Sequence, residues 1–89
     1  SQFAPFGLGN PAPVFKSQGN LTDLRPVGER GRHLKFKADN LEAIWFNVPP
    51  GTSFQLPARA EVVYCIGKDT WNGQEKLQLL VKDVKLAHE

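Results

Sequence analysis

The sequence predicts an all-β fold, a small five-stranded antiparallel barrel, and three observations support this prediction. Several stretches alternate apolar and polar residues with a period of two, the pattern of a half-buried strand. Asn72-Gly73 joins two such stretches and is a strong signal for a β-hairpin, because a type I′ turn needs two residues that tolerate positive φ. The stretch most open to a helix, residues 49–57, holds three prolines and a glycine, and we find no convincing amphipathic helix.

Length and composition describe one small globular domain. The chain has 89 residues, of which 40% are hydrophobic and 22% are charged, so its composition is neither that of a disordered chain nor that of two domains. No stretch approaches the length of a membrane span. Cys65 is the single cysteine, which excludes an internal disulfide and is consistent with a reducing, cytoplasmic compartment. The chain begins with Ser1 rather than Met, and we expect a fragment of a longer protein.

Residues 1–15 form a lead-in segment that differs from the rest of the chain, and residues 16–89 form the predicted barrel domain. Three prolines fix φ and remove backbone donors, and two glycines permit turns, so the lead-in shows neither a helical nor a strand period. Its apolar residues have no local partners and are expected to lie against a larger body, with Phe6 and Phe15 packing partly on the barrel. These apolar residues are Phe3, Phe6, Leu8 and Phe15.

Three strands are predicted in the first half of the barrel domain. The first covers residues 16–27 with an interruption near Gly19, and a turn at residues 28–31 follows it. The second covers residues 32–39, and its inward residues are Leu34, Phe36 and Ala38, with His33, Lys35 and Lys37 outward. The third covers residues 41–48, with Ile44, Phe46 and Val48 inward and Ala43, Trp45 and Asn47 outward.

Two further strands complete the predicted barrel. One covers residues 60–68 and the other residues 76–86, and the Asn72-Gly73 hairpin joins them. Along the last strand Gln78 faces outward, until Val84 and Leu86 break the alternation and suggest a β-bulge. The expected core consists of Leu34, Phe36, Ile44, Phe46, Val62, Tyr64, Leu77, Leu79 and Val81.

Five strands, of which the first is long and interrupted and the others are short, are typical of a partly open barrel of the OB type. An SH3-like barrel is the alternative. In an OB barrel the ligand lies on strands 2 and 3, between the loop that joins strands 1 and 2 and the loop that joins strands 4 and 5. Residues 25–37 carry five basic residues against Glu29 alone, a local charge of +4 that suits phosphates. Judged by charge alone, a solvated strand face explains this segment equally well.

The unusual polar and aromatic residues fall at those ligand-binding places. Cations interleaved with aromatic residues are what a single-strand binder requires, because phosphates are neutralised while bases stack. Trp71 has a structural alternative, since an aromatic residue beside a hairpin turn often caps the core. The predicted nucleic-acid-binding residues are Arg30, Arg32, Lys35, Lys37, Trp45, Asn47, Trp71, Asn72, Gln74 and Gln78.

Several motifs resemble the C-terminal OB domain of RecJ-type single-stranded-DNA exonucleases. Residues 5–15, Pro-Phe-Gly-Leu-Gly-Asn-Pro-Ala-Pro-Val-Phe, are similar to the segment that leads into that domain, and Trp71-Asn72-Gly73 is similar to its hairpin. The other matching pieces are, in order, Arg25-Pro26-Val27-Gly28, His33-Leu34-Lys35-Phe36, Ala43-Ile44-Trp45-Phe46-Asn47 and Leu77-Gln78-Leu79. Together the motifs cover nearly the whole chain.

The resemblance implies a module of a bacterial 5′→3′ exonuclease that acts on single-stranded DNA in recombination and repair. It also implies that catalysis belongs to DHH-type domains elsewhere in the parent chain, where aspartates and histidines hold manganese or magnesium. Here the aspartates are scattered over turns and strand ends, and His33 and His88 are isolated, so we expect a fragment without catalytic residues or a metal of its own. Its expected partners are single-stranded DNA and the catalytic domains of the same chain, with no membrane and a monomeric state.

Two other functions remain open from the residues themselves. The domain could be a structural or protein-interaction spacer whose basic strand is simply solvated. An independent enzyme is a remote alternative, since no nucleophile–base pair is apparent. Salt-dependent binding of an oligothymidine strand would distinguish the binding module from the spacer.

Overall fold

The computed structural model describes residues 13–52, 55 and 58–87, and of Trp71 it describes the backbone only. Five strands and one short 3₁₀ turn make up the regular structure of these residues. The strands are β1 (Phe15–Val27), β2 (His33–Ala38), β3 (Leu41–Trp45), β4 (Ala58–Trp71) and β5 (Gln74–Leu86), and the 3₁₀ turn, Glu29–Gly31, lies between β1 and β2. Within the described residues, no helix has the length and apolar character needed to cross a membrane.

The strands close into a barrel in the order β1-β2-β3-β5-β4, and β4 pairs with β1. Four of the five pairings are antiparallel, and β3 runs parallel to β5. The parallel pairing arises because two chain reversals, the β3–β4 loop and the β4–β5 hairpin, separate these strands. The predicted five-stranded OB-type barrel is confirmed, with one parallel pairing where the sequence predicts antiparallel strands throughout.

The core lies inside the barrel and receives side chains from all five strands. The predicted core residues that lie in it or pack against it are Leu34, Phe36, Val62, Tyr64, Leu79 and Val81. The largest fully buried side chains are Phe36, Leu21 and Val62. On β2 the predicted register is confirmed, because Phe36 and Ala38 are buried while the lysines between and before them face outward.

β3 faces the opposite way from the prediction. Trp45 is 6% exposed and belongs to the core, whereas Phe46 is 42% exposed, so the predicted outward Trp45 and inward Phe46 are wrong. The reason is the tight turn at residues 39–40, where both residues have positive φ and Ala38 pairs directly with Leu41. Because paired residues share a face of the sheet, the inward Ala38 puts Leu41, Ala43 and Trp45 on the core face of β3, where Ala43 and Trp45 are buried and Leu41, beside the turn, stays 53% exposed.

Ile44 is buried, but on the outer face of β3 and not in the core cluster that the sequence predicts for it. It lies between Lys35 on β2 and Leu80 on β5, which are its direct partners in the register. Leu80 leans over Gly67, where an added Cβ would lie 2.9 Å from a Leu80 methyl carbon. Ile44 and Leu80 therefore form a small apolar strip on the outer face of β3 and β5, and this packing accounts for the burial of Ile44.

Leu77 is 63% exposed, so its predicted place in the core is wrong. The β4–β5 hairpin is longer than the strands beside it, because β1 pairs with β4 only as far as Phe15 opposite Tyr64. Leu77 lies opposite Lys68, on the part of the hairpin beyond that point, where no other described strand pairs with β4. Leu77 is therefore exposed although it lies on the inward side of β5, because β1 does not extend far enough to cover it.

β5 contains the bulge that the broken alternation at Val84 predicts. Lys82 is the extra residue, because Val81 and Asp83 pair with adjacent residues of β4. The bulge shifts the alternation of β5 by one residue, so that Val81 before it and Val84 after it both face the core side.

β1 is interrupted between Thr22 and Arg25, so the predicted interruption near Gly19 is misplaced. Gly19 pairs regularly and serves a different purpose, since an added Cβ would lie 2.9 Å from Oδ2 of Asp39. Oδ1 of Asp39 accepts the backbone N–H of Asn20 at 2.9 Å. The glycine thus leaves room for the β2–β3 turn to dock on β1.

The lead-in predicted for residues 1–15 lies mostly outside the described residues, and so does the predicted packing of Phe6. Phe15 begins β1, and its ring stacks on Tyr64 with the centroids 5.8 Å apart. β1 therefore begins one residue before the predicted start of the first strand at residue 16.

Candidate nucleic-acid interface

Three cations lie side by side on the outer face of β1 and β2. Lys35 and Lys37 alternate outward on β2, and Arg25 lies directly opposite Lys35 on β1. Nζ of Lys37 lies 3.7 Å from Oδ2 of Asp23, and both side chains are largely exposed. Exposed ion pairs contribute about 0–1 kcal/mol, so Lys37 can exchange this partner for a phosphate at little cost. The structure thus places Arg25, which the sequence prediction left out of the site, beside two predicted site residues.

Arg30 and Arg32 lie on the connection that leads into β2. The connection turns tightly, with positive φ at Gly28, Arg30 and Gly31, and both arginines are exposed. The carbonyl of Arg32 accepts the backbone N–H of Val48 at 3.0 Å, which ties this connection to the β3–β4 loop. A cavity of about 300 Å³ lies between the two loops, so both arginines border a concave surface.

Phe46 and Asn47 follow the end of β3 and lie beside His33 at the start of β2. The backbone N–H of Asn47 donates a hydrogen bond to Nδ1 of His33 at 2.9 Å, while Asn47 itself is exposed. The Phe46 ring stands edge-on to the imidazole, with the centroids 5.1 Å apart. Phe46 is therefore the exposed aromatic residue where the sequence analysis expects Trp45. The tight turn at residues 39–40 is the sequence signal that could have identified it.

The β4–β5 hairpin has the predicted two-residue turn. Asn72 and Gly73 have φ of 52° and 75°, as a type I′ turn requires, and Trp71 pairs with Gln74 on either side. Asn72 and Gln74 are exposed at this tip. The side chain of Trp71 lies outside the described part of the structure, so its stacking on a base stays a prediction.

Gln78 is 4% exposed, so it is not the open polar neighbour that the sequence predicts. It lines a cavity of about 260 Å³ together with Lys35, Glu42, Asp69, Lys76 and Leu77. Oε1 of Gln78 and Oδ1 of Asp69 are both buried, and neither has a hydrogen-bond partner among the described residues. Asp69 and Lys76, which pair across the hairpin, also line this cavity, and the sequence reasoning did not include them among the predicted site residues. The sequence signal that could have identified them is their position relative to the Asn72-Gly73 turn, because the turn pairs Asp69 with Lys76.

The predicted site residues form a band along β2 and not a single cluster. The two arginines mark the start of β2, Lys35 and Gln78 share the cavity farther along, and the hairpin tip extends from the cavity side. Trp45, which the sequence predicts for the site, does not lie in this band, because it belongs to the core. Within the described residues, no three His, Cys, Asp or Glu side chains gather in a way that could hold a metal ion.

Sequence comparison identifies relatives of this chain. The RecJ OB domain family matches residues 1–83. The single-stranded-DNA-specific exonuclease RecJ of Thermus thermophilus is 30% identical over 81 residues, which are 91% of this chain and 12% of that protein. The enzyme of the same name from Bacillus subtilis is 29% identical over 93 residues, which are 98% of this chain and 12% of that protein. The chain thus spans about an eighth of the length of these relatives.

Solved structures agree with the sequence relatives. RecJ from Thermus thermophilus in complex with Mg²⁺ matches with a TM-score of 0.71 at 28% identity, over 96% of this chain and 13% of the solved chain. The complex of the same protein with Mn²⁺ matches with a TM-score of 0.73 at 26% identity, over 96% of this chain and 12% of the solved chain. The strand order of the barrel and the family match over residues 1–83 agree, and this chain belongs to the RecJ OB domain family.

Proposed function

We propose that this chain is the single-stranded-DNA-binding module of a RecJ-type 5′→3′ exonuclease that acts in DNA repair and recombination. The observation that carries the proposal is the outer face of β2, which holds a row of outward cations between two connecting loops. In OB barrels that bind oligonucleotides, this face and these loops form the ligand surface. The family match supports the assignment to such an enzyme, since the similar proteins are single-stranded-DNA-specific exonucleases.

The chemistry of the band suits a flexible single strand. Cations that track a backbone neutralise phosphates, and each neutralised phosphate releases condensed counterions. Arg30, Arg32, Lys35 and Lys37 supply these contacts, and Arg25 adds a further cation beside Lys35. Phe46 offers an exposed ring for a base, and stacking tolerates any sequence because every base has a π-face. The polar residues at the hairpin tip, Asn72 and Gln74, complete the surface.

Catalysis belongs, in this proposal, to the remainder of the parent chain, which this sequence does not contain. Phosphodiester hydrolysis by two metal ions needs carboxylates gathered around metals about 3.5–4 Å apart. The similar solved protein was crystallised with Mg²⁺ and with Mn²⁺. The described residues of this chain include no such cluster, so no step of the reaction is assigned to them. The parent is proposed to be a metal-dependent cytoplasmic exonuclease that holds its DNA partly through this monomeric module.

The experiment that tests the proposal compares two charge-removing variants. Binding of a fluorescently labelled oligothymidine strand is measured by anisotropy over a series of salt concentrations. Lys35→Gln removes a cation from β2, and Lys85→Gln removes an exposed cation from β5, opposite Glu61 and distant from β2 in the sheet. We expect Lys35→Gln to weaken binding and to flatten the salt dependence by about 0.7 in log–log slope, the value for one phosphate contact on a single strand.

The control defines what would contradict the proposal. Lys85→Gln should leave both affinity and slope unchanged, because it lies outside the band. If both variants bind as tightly as the unmodified chain and with the same slope, the basic strand is merely solvated. The domain would then be a structural or protein-interaction spacer.

A further inference from the structure

One end of the barrel opens into an apolar cavity, which we call the barrel mouth. It has a volume of about 230 Å³ and lies beside the β2–β3 turn. The core residues Ala38, Val62 and Leu79 line it from inside the barrel, and Leu41 and Tyr64 line it as well. A cavity of about 150 Å³ already takes up a benzene molecule, so the mouth has room for an aromatic side chain.

Exposed apolar side chains lie at the mouth. Phe15 and Leu41 are both exposed. The register nevertheless places them on inward faces, because Phe15 pairs with Tyr64 and Leu41 pairs with Ala38. Leu77, also exposed, takes the position on β5 that corresponds to Leu41 in the parallel pairing of β3 with β5. Clustered apolar side chains of this kind mark an interaction surface.

Polar groups in the lining of the mouth already have partners within the chain. The hydroxyl groups of Ser17 and Tyr64 are hydrogen-bonded to each other at 2.8 Å, and Oδ1 of Asp39 accepts the backbone N–H of Asn20. Among the described lining residues no lysine or arginine is present, and the carboxylate of Asp39 repels anions. The mouth therefore suits an uncharged, apolar occupant and not a phosphate of the DNA strand.

The chain enters the barrel at this mouth. β1 begins at Phe15 and pairs with β4 from that residue onward, although β4 itself continues beyond the pairing to Trp71. Pro11 and Pro13 lack the N–H groups that further pairing along β4 would use. We therefore expect residues 1–12 to leave the edge of β4, which makes them available to cover the mouth.

Residues 1–12 match the mouth in composition and in reach. They contain no charged residue, and their large apolar side chains are Phe3, Phe6 and Leu8. Phe6 lies nine residues before Phe15, a stretch that spans up to about 30 Å. Leu41 lies two strands away from β1, about 10 Å across the sheet, so the segment is long enough to turn back over the mouth.

We propose that residues 1–12 fold back over the barrel mouth and that the ring of Phe6 enters its cavity. Phe6 is the first aromatic residue before Phe15, and Gly7 beside it permits a tight reversal. A segment tethered this closely has a high effective concentration, which favours it over a second copy of the chain. Residues 1–12 thereby close the barrel end opposite Arg30 and Arg32 and leave the basic face of β2 uncovered. The inference does not depend on DNA binding.

The test is a double-mutant cycle on the 89-residue chain, measured by urea unfolding. We expect Phe6→Ala to raise the equilibrium constant of unfolding about 5- to 30-fold, because it removes a buried ring whose contribution is partly offset by the ordering of the segment. In a Leu41→Ala background the same substitution should have an effect at least about threefold smaller, because the effects of contacting residues are not additive.

Phe46→Ala supplies the matched control background. Phe46 is also an exposed ring, but it follows the end of β3 that lies away from Leu41. Phe6→Ala should therefore keep its full effect in that background, within about twofold, as expected for residues that are far apart. Nuclear Overhauser effects in the unmodified chain should connect the Phe6 ring with the methyl groups of Leu41, and they should persist on dilution.

Three results would overturn the inference. The first is an unchanged unfolding constant for Phe6→Ala together with no contact between Phe6 and Leu41, which would leave the mouth to another part of the parent protein. The second is an equal effect in the two backgrounds, which would place the ring elsewhere on the barrel. The third is contacts that arise only between labelled and unlabelled molecules, which would assign the mouth to a second copy. A chain that shows the expected contacts but binds no DNA would overturn the proposed function alone.

Discussion

Phe46 is the residue whose position matters most for the proposed interface. Its ring is exposed beside His33, whose Nδ1 accepts the backbone N–H of Asn47. This hydrogen bond holds the chain after β3 against the start of β2, where the Phe46 ring stands edge-on to His33. A ring fixed in this way can stack on a base at a small entropic cost, because its neighbours already restrict it.

We expect Phe46→Ala to weaken single-strand binding by about 1–3 kcal/mol, the usual loss for one stacked base. The salt dependence should stay nearly unchanged, because no cation is removed. Phe46→Tyr should restore binding, since the ring remains. Phe15→Ala is the control, because Phe15 is also partly exposed but lies on β1 against Tyr64 of β4, apart from β2. Equal binding by the Phe46→Ala variant and the unmodified chain would exclude Phe46 from the interface.

Among the elements, the two tight turns determine which faces the strands present. The turn at residues 39–40 pairs Ala38 with Leu41, and the Asn72-Gly73 turn pairs Trp71 with Gln74. Each turn needs two residues with positive φ, and each therefore sets the register of the strand that follows it. A register change of one residue would exchange the core face and the outer face along the whole strand. The basic band and the cavity depend on both registers.

The β2–β3 turn supplies a direct test of this dependence. Asn40 has φ of 71°, a conformation that a β-branched residue adopts only under strain. We expect Asn40→Val to lower the free energy of unfolding by about 1–3 kcal/mol. Asn40→Gly should be neutral or slightly stabilising, because glycine adopts positive φ without strain. Urea denaturation measures both. Equal stability of the two variants would show that backbone conformation at this turn does not limit the fold.

At the scale of the whole molecule, the barrel has little reserve of stability. A domain of 89 residues buries a modest fraction of its surface, and domains of this kind are stable by about 5–15 kcal/mol in total. Its core depends on a few large side chains, of which Phe36, Leu21 and Val62 are fully buried. Three of the remaining core residues are alanines, which cannot extend into the space that the loss of one large ring would leave.

Phe36→Ala should therefore lower the free energy of unfolding by about 3–5 kcal/mol, the usual cost of removing a buried ring. Phe36→Leu should cost less, because it leaves a smaller cavity. Phe46→Ala should cost about 1 kcal/mol, since that ring is partly exposed. Thermal or urea unfolding of the three variants measures this order. A larger loss for Phe46→Ala than for Phe36→Ala would contradict the orientation of β3.

Much of the fold could be predicted from the chain alone, because its signals are local. The Asn72-Gly73 turn, the clean alternation of β2 and the bulge near Val84 each depend on neighbouring residues, and each is confirmed. The orientation of β3 could also have been predicted from the sequence. Its apolar residues at 44, 46 and 48 suggested one face, but the tight turn before it determined the other. The turn prevails because a direct cross-strand pair leaves no freedom in the register.

The sequence by itself determined the strand count, the Asn72-Gly73 turn, the basic face of β2 and the family membership that its motifs suggest. Only the tertiary structure decided which residues of those elements are exposed and which are buried. Leu77 is exposed because β1 ends before it, and residue alternation carries no information about where a neighbouring strand ends. Gln78 and Oδ1 of Asp69 are buried because four strands from distant parts of the sequence converge on one cavity. Such convergence follows from barrel closure, which is a property of the complete sheet and of no single segment.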